Sequence, residues 1–166
     1  RLTACQSTLS INDTSVTKFG KSEMINKIFG NSIEDTFKSF ELFSKDENGL
    51  IGCSSSNNGY EKKFGCTHKR EIYIDKMNNY LKGVDHIIKA KDGYPIRYAF
   101  RFHINPDLSA VKTMSGNSAL IQISKNKSLI FTVKDENLEI EKSIFLGGKK
   151  ILDNTCITIS GNLVNK

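Results

Sequence analysis

The amino-acid sequence predicts an all-β fold, a sandwich or a barrel, and three observations carry this prediction. About ten short segments have strand-like composition and are separated by turn residues. One of them, residues 95–106, alternates clearly between polar and apolar side chains. Helical periodicity is weak, and its best instance, residues 22–29, is at most about two turns long.

Each predicted strand is bounded by residues that favour turns, chiefly Gly, Asn, Asp and Ser. Asn58-Gly59 and Gly147-Gly148 are predicted to be turns themselves. No linker or repeat interrupts the series, so the sequence predicts one domain over residues 1–166. In chain order, the predicted strands are residues 8–12, 36–44, 50–54, 68–75, 80–89, 95–106, 109–114, 119–124, 128–134, 138–145 and 150–160.

The alternation within residues 95–106 predicts a strand with two different faces. Side chains at successive positions of a strand point to opposite sides of the sheet. The apolar positions therefore share one face, which is expected to pack on the core. Arg97, Arg101 and His103 share the other face, which makes it a candidate site for an anion.

Composition narrows the partners without choosing among them. The 166 residues suffice for a buried core, and 38% hydrophobic content argues against disorder. A net charge of +6 favours polyanions such as anionic glycans, nucleic acid or lipid headgroups. No apolar run approaches the roughly 18 residues that a membrane span needs.

The cysteines and histidines give few signs of a metal site or of covalent catalysis. The four cysteines form no CxxC pair, and we expect them to be free thiols. His86 is interpreted as structural. His68 follows Tyr60 in a basic cluster, which more often forms a solvated face than an anion site. Nucleophile elbows, phosphate-binding glycine loops and dinucleotide motifs do not occur.

Several blocks, in order, resemble the C-terminal β-sheet domain of heparinase II/III-like proteins, especially the alphaproteobacterial branch. Residues 101–106, RFHINP, are similar to the family pattern RFHLHP, and residues 64–74, FGCTHKREIYI, are similar to FGxxHRRxLYL. Each block alone is weak, but together they cover nearly the whole chain. The other blocks are residues 3–9, 57–60, 81–85 and 141–148.

The resemblance implies a layered, antiparallel, supersandwich-like β-sandwich that follows an α/α toroid in the full-length protein. This chain would then be the C-terminal half, with the catalytic toroid absent from it. The family's characterised members are polysaccharide lyases that act by β-elimination on uronic-acid glycans. The implied partners are an acidic polysaccharide and the protein's own toroid, and the implied location is the periplasm or cell envelope.

The resemblance also assigns candidate site residues. Tyr60, His68 and His103 retain the residue types of the family and are candidate catalytic residues, although buried hydrogen-bonding roles are equally compatible. Gln6 and Asn57 stand where the family carries histidines that can bind a structural metal. An amide is neither a general base nor a good zinc ligand. A structural zinc ion is therefore doubtful here, and no cofactor is assigned.

Two functions remain open at this point, and a third is disfavoured. The first is the β domain of a polysaccharide lyase, active only in the full-length protein. The second is a catalytically silent glycan-binding or scaffolding domain, favoured by the replacement of two family histidines at Gln6 and Asn57. The substrate-binding candidates are Arg97, Arg101, Gln6 and Asn57. Nucleic-acid binding rests on charge alone and is not expected.

Overall fold

The structure, a computed structural model, describes residues 2–30, 32–47, 50–90, 95–147 and 150–163. Its secondary structure is mainly β, and every strand pair in these ranges is antiparallel. In chain order the elements are a 3-10 turn (Thr3–Cys5), β1 (Leu9–Ile11), β2 (Lys18–Phe19), α1 (Glu23–Phe29), β3 (Ile33–Asp35), β4 (Ser39–Glu47), β5 (Leu50–Tyr60), α2 (Glu61–Phe64), β6 (Cys66–Asp75), β7 (Tyr80–Lys89), β8 (Ile96–His103), β9 (Ser109–Lys112), β10 (Ser118–Ser124), β11 (Lys127–Thr132), β12 (Glu139–Phe145) and β13 (Leu152–Leu163).

The chain divides into two compact units, and one of them is discontinuous in sequence. The first combines Arg1–Ser15 with Pro95–Val164 and is called the sandwich unit below. The second, called the meander unit, consists chiefly of the intervening residues Val16–Tyr94. The sequence predicts that residues 1–166 form a single domain, and this division into units leaves that a prediction.

The sandwich unit consists of two sheets packed around an apolar core. One sheet has the strand order β1-β8-β13-β12, and the other has the order β11-β10-β9. Fully buried side chains from both sheets meet in this core, and the rings of Phe102 and Phe131 lie 5.1 Å apart between their centroids. The all-β sandwich predicted from the sequence is confirmed. The buried core residues are Ala119, Ile121, Leu138, Ile157 and Ile159.

Strand β8 has the two faces that its alternation predicts. Phe100 and Phe102 pack against the core, so the even positions face inward. The register pairs Arg101 with Thr158 and His103 with Cys156, so the opposite face of the sheet carries polar side chains from β8 and β13. This face is the starting point for a candidate site.

The meander unit contains a four-stranded sheet in which each strand pairs with the next along the chain, in the order β4-β5-β6-β7. The strands β2 and β3 pair antiparallel in a separate two-stranded sheet. Between them, α1 begins after Ser22, whose hydroxyl accepts a hydrogen bond from the Ile25 N–H and so caps the helix. The short helix predicted over residues 22–29 is confirmed.

One turn prediction is wrong. Asn58-Gly59 lies inside β5, which extends to Tyr60, whereas the sequence predicted a strand only over residues 50–54. The pairing register with β6 shifts between Asn57 and Tyr60, so the polar pair forms a bulge within the strand. A side chain at Gly59 would collide with Val16, and this close approach explains the glycine.

The remaining sequence predictions concern short elements, thiols and membrane spans. Strands β2 and β3 were missed, and the second glycine of the predicted Gly147-Gly148 turn lies outside the described residues. All four cysteines are free thiols, as predicted, with Cys66 and Cys156 buried. Among the described residues no helix is long and apolar enough to cross a membrane.

Candidate functional site

A cavity of about 230 Å³ opens on the polar face of the β1-β8-β13-β12 sheet and contains both arginines of the predicted cationic face. All four strands of the sheet, together with Asp13 after β1, supply its walls. The cavity is lined by Ser10, Asp13, Arg97, Tyr98, Ala99, Arg101, Glu141, Thr158 and Ser160. The sequence predicted a shared face for the two arginines, whereas the two carboxylates that line the cavity with them were not predicted.

Arg97 stands at the exposed rim of this cavity. Its Nη2 donates a hydrogen bond to Asp13 Oδ2, and both side chains are 64% exposed. An ion pair this exposed contributes little to stability, about 0–1 kcal/mol. A ligand anion can therefore exchange with Asp13 at little cost in folding free energy.

Arg101 is held more firmly, at the inner end of the cavity. Its Nη1 donates to Ser10 Oγ at 2.5 Å, and Ser10, only 3% exposed, donates in turn to the Ala99 carbonyl at 3.4 Å. Across the cavity, the buried Thr158 hydroxyl donates to Glu141 Oε2 at 2.9 Å. Both charged groups are thus oriented by buried hydroxyls before any ligand arrives.

The chemistry of the cavity suits binding better than proton abstraction. Two guanidinium groups offer paired donors for an anion, while carboxylates and hydroxyls offer acceptors for ligand hydroxyls. Burial, together with the hydrogen bond to Glu136 at 2.8 Å, raises the pKa of Tyr98 to about 12. Tyr98 is therefore protonated at neutral pH and is not a base in this state.

His103, a predicted catalytic candidate on β8, is hydrogen-bonded to the N-terminal segment. Its Nε2 lies 3.0 Å from the Ala4 carbonyl oxygen, and its Nδ1 lies 3.2 Å from Ser143 Oγ. A carbonyl only accepts, so Nε2 carries a proton, and in the neutral ring Nδ1 then accepts from the serine hydroxyl. The backbone N–H of His103 also donates to Ser7 Oγ at 3.0 Å. These contacts favour a structural role.

His68, the second histidine candidate, belongs to a charged cluster in the meander unit. Its Nε2 lies 2.6 Å from Asp85 Oδ1, and Arg70 donates to both oxygens of the same carboxylate at 2.7 and 3.1 Å. The His68 side chain is 5% exposed and that of Asp85 is 14% exposed. We refer to His68, Arg70 and Asp85 as the charged cluster.

The charged cluster determines the ionisation of its carboxylate. Burial by itself raises the pKa of Asp85, but hydrogen bonds from His68 and Arg70 and the charge of Arg70 outweigh it. The resulting pKa lies below the ordinary aspartate value, so Asp85 is ionised near neutral pH. Paired charges of this kind make the cluster a structural unit.

None of the other three predicted residues lines the cavity. Tyr60 is 1% exposed, and its ring centroid lies 6.1 Å from that of Phe64. Asn57 is paired in register with His68, and its Oδ1 accepts from the Gly59 N–H at 3.3 Å. Gln6 is exposed and ends the first 3-10 turn. Their roles as catalytic or substrate-binding residues stay predictions.

Neither Gln6 nor Asn57 offers a donor that suits a zinc ion. Both side chains are amides, and the Asn57 oxygen already accepts a backbone hydrogen bond. Among the described residues, no three His, Cys, Asp or Glu side chains come together in a way that could hold a metal. We therefore derive no chemistry from a metal at these positions.

Asp85 and Glu141 are the important residues that the sequence analysis missed. A signal for Asp85 exists, because β6 and β7 form a hairpin closed by the four residues 76–79, and this length fixes the register that pairs Arg70 with Asp85. No comparable signal exists for Glu141. Its neighbours Arg101 and Thr158 come from distant parts of the chain, and only the sheet order brings them together.

The antiparallel sandwich and its polar cavity place the chain in the class of β-sandwich domains. Comparison with known families identifies the particular one. The chain matches the family described as heparinase II/III-like, C-terminal, over residues 1–164, and it belongs to that family. The resemblance seen in the sequence blocks is confirmed.

One curated relative is the FtsZ-localized protein C of Caulobacter vibrioides. It is 30% identical over 135 residues, which are 76% of this chain but only 23% of the relative. The chain therefore spans less than a quarter of the relative's length. No solved structure matches the chain.

Proposed function

We propose that this chain is the glycan-binding β domain of a heparinase II/III-like protein, and that an acidic glycan occupies the cavity containing Arg97 and Arg101. The observation that carries the proposal is the position of these two arginines in one cavity with oriented hydroxyls and carboxylates. The family supplies the ligand class, because uronic-acid glycans are the substrates of its characterised members.

The two kinds of group in the cavity match the two kinds of group on such a glycan. A uronate carboxylate is planar and accepts paired hydrogen bonds from a guanidinium group, with a strength of about 1.5–3 kcal/mol per charged hydrogen bond. Sugar hydroxyls donate to Asp13 and Glu141. The net charge of +6 adds a long-range attraction that salt weakens.

The test is a binding titration with uronic-acid oligosaccharides of the heparin or alginate type. Arg101→Ala is expected to weaken binding about tenfold or more, which corresponds to one charged hydrogen bond. Lys142→Ala is the matched control, since it removes the same charge from the exposed residue next to Glu141, on the opposite face of β12. Equal affinity of wild type and Arg101→Ala would refute the assignment of the cavity.

A finer proposal is that the full-length protein cleaves the glycan by β-elimination. That reaction neutralises the uronate carboxylate, removes the C5 proton and protonates the departing O4. In this chain Tyr60 and His68 are buried and both ring nitrogens of His103 have partners, so these contacts favour structural roles over base catalysis. We expect the base to come from outside this chain.

Turnover is tested on the full-length protein with a panel of acidic polysaccharides. Cleavage creates an unsaturated uronate, whose ultraviolet absorbance reports the reaction. Absorbance that rises with wild type and falls with Arg101→Ala supports a lyase that binds its substrate through the cavity. Binding without any rise in absorbance leaves the silent glycan-binding domain as the function.

The scaffolding alternative is supported by the name of the relative, which associates that protein with FtsZ. For this chain the corresponding proposal is a role at sites of FtsZ assembly. A fluorescent fusion of the full-length protein tests it directly. A band that coincides with FtsZ supports the role, and uniform fluorescence throughout dividing cells argues against it.

A further inference from the structure

Strand β11 is an edge strand, and its main-chain register determines which groups it offers. The sheet order is β11-β10-β9, so among the described strands β11 pairs with a neighbour on one side only. The Val133 N–H donates to the Asn117 carbonyl at 2.9 Å, which continues the register that pairs Ala119 with Phe131. Hydrogen-bonded pairs alternate in an antiparallel ladder, so the N–H and C=O groups of residues 128, 130 and 132 point outward.

The side chains of this edge do little to prevent pairing with another strand. Natural edge strands are usually protected by central charges, proline or a bulge. Residues 128–132 are Ser-Leu-Ile-Phe-Thr. The register shift between β10 and β11 lies on β10, between Gln122 and Ser124, next to the turn that joins the two strands. Ile130, at the middle of the strand, is 73% exposed. The edge is therefore uncharged and apolar at its centre.

Ile130 also ends an apolar row that crosses the outer face of the sheet. The register places Val111 beside Leu120 and Leu120 beside Ile130. Their side chains are 63%, 43% and 73% exposed, respectively. The row has polar neighbours on both sides, namely Gln122 with Ser128 and Ser118 with Thr132. We call Val111, Leu120 and Ile130 the outer row.

We propose that the edge of β11 is a dimer interface, at which the β11 strands of two copies of this chain pair antiparallel about a two-fold axis at Ile130. This register pairs all three residues whose N–H and C=O groups point outward. Residue 130 pairs with residue 130 of the second copy, and residue 128 pairs with residue 132 of the second copy. The register forms about six main-chain hydrogen bonds. It also joins the two outer rows into one continuous apolar row.

The charges at the two ends of β11 favour a second copy in the antiparallel orientation. Lys125 and Lys127 lie at its beginning, whereas its end is followed by Lys134, Asp135 and Glu136, one cation and two anions. Antiparallel pairing about Ile130 brings the lysines of each copy towards the acidic residues of the other. A parallel arrangement would place like charges together, which destabilises a pair of strands.

The first test measures the mass of the full chain in solution as a function of concentration. Wild type is expected to form a dimer, and Ile130→Lys is expected to raise its dissociation constant about tenfold or more, because two ammonium groups would face each other at the axis. Val111→Lys is the matched control. It places the same charge at a similarly exposed position of the outer row, on the opposite edge strand.

Three outcomes overturn the proposal: a wild type that stays monomeric at every concentration, a dimer that survives Ile130→Lys, or equal dissociation by both variants. The last would assign the interface to the outer face instead of the edge. These outcomes are independent of glycan binding, since the cavity residues are unchanged in both variants.

Cross-linking tests the axis itself and does not require the variant to alter affinity. In a background where the exposed Cys5 and Cys53 are replaced by serine, Ile130→Cys places two thiols opposite each other, about 5 Å apart between Cβ atoms. Mild oxidation is expected to yield a covalent dimer with Ile130→Cys and not with Val111→Cys. Similar yields for the two variants contradict an axis at residue 130.

Discussion

The sandwich unit and the meander unit bury different chemistry in the same kind of antiparallel sheet. In the sandwich unit, two sheets close over aliphatic and aromatic side chains, including Leu138 and Ile157 at 0% exposure. In the meander unit, the buried residues include His68, whose partners are the carboxylate of Asp85 and, through it, Arg70.

This difference predicts different responses to substitution and to pH. Apolar burial is non-directional and does not depend on protonation. A buried carboxylate stabilises the fold only while it is ionised and the groups that donate hydrogen bonds to it are in place. The sandwich unit should therefore be sensitive to volume, and the meander unit to charge.

The largest effect is expected from Ile157→Ala. This side chain is fully buried between the two sheets, so its loss should lower the free energy of unfolding by about 3 kcal/mol. Urea unfolding at neutral pH measures the change. The matched control is Ile144→Ala on the neighbouring β12, where the side chain is 55% exposed and the expected change is below about 0.5 kcal/mol. Equal losses in both variants would contradict the assignment of the core.

A smaller but pH-dependent effect is expected from Asp85→Asn. Removing the charge leaves His68 and Arg70 without their anion and should cost about 2 kcal/mol, less than for a fully buried pair because Arg70 is 22% exposed. The pKa of Asp85 is lowered in the folded state, so its contribution is complete above the unfolded pKa of about 4 and is lost as the pH falls through the folded value.

Unfolding curves of wild type and Asp85→Asn from neutral pH to acid measure this effect. The difference between them should shrink as the pH falls below about 4 and through the folded pKa of Asp85. Asp153→Asn, an exposed aspartate on β13, serves as the control and should change little. A difference that is unchanged down to acid would show that the effect of Asp85 is one of packing instead of charge.

The smallest effect is expected from His103→Ala, and it should be local. The variant loses side-chain hydrogen bonds to Ala4 and Ser143, at a cost of about 1 kcal/mol. Amide hydrogen exchange in residues 3–8 is expected to become faster while the core strands keep their protection. The exposed His86, replaced by Ala, is the control. Unchanged amide exchange in residues 3–8 would refute the proposal that His103 holds the N-terminal segment in place.

The sequence predicted most strands and the faces of β8, because both depend on local alternation. Arg97 and Arg101 were assigned to one face from spacing alone, and the cavity contains both of them. Asp13, Glu141 and Thr158 could not be added in that way. They join the cavity through pairing between strands that are distant in the chain, and alternation within one strand carries no information about its neighbours.

The charged cluster shows the same limit at shorter range. His68 and Arg70 lie two residues apart on β6, so the sequence predicts that they share a face. The basic residues around them favoured the interpretation of that face as a solvated surface. The carboxylate that changes this interpretation is on the next strand. The burial of His68 could not be predicted from the sequence either, because it depends on what covers the sheet and not on the alternation within the strand.

The order of the two units along the chain has a consequence for folding. The contacts of the meander sheet are hairpins between successive strands, and such local contacts close short loops and form early. Strand β1 pairs with β8, and residue 9 meets residue 100 only after the whole intervening unit has been made. On the ribosome, the first strand of the sandwich therefore waits, unpaired, while the meander sheet can already form.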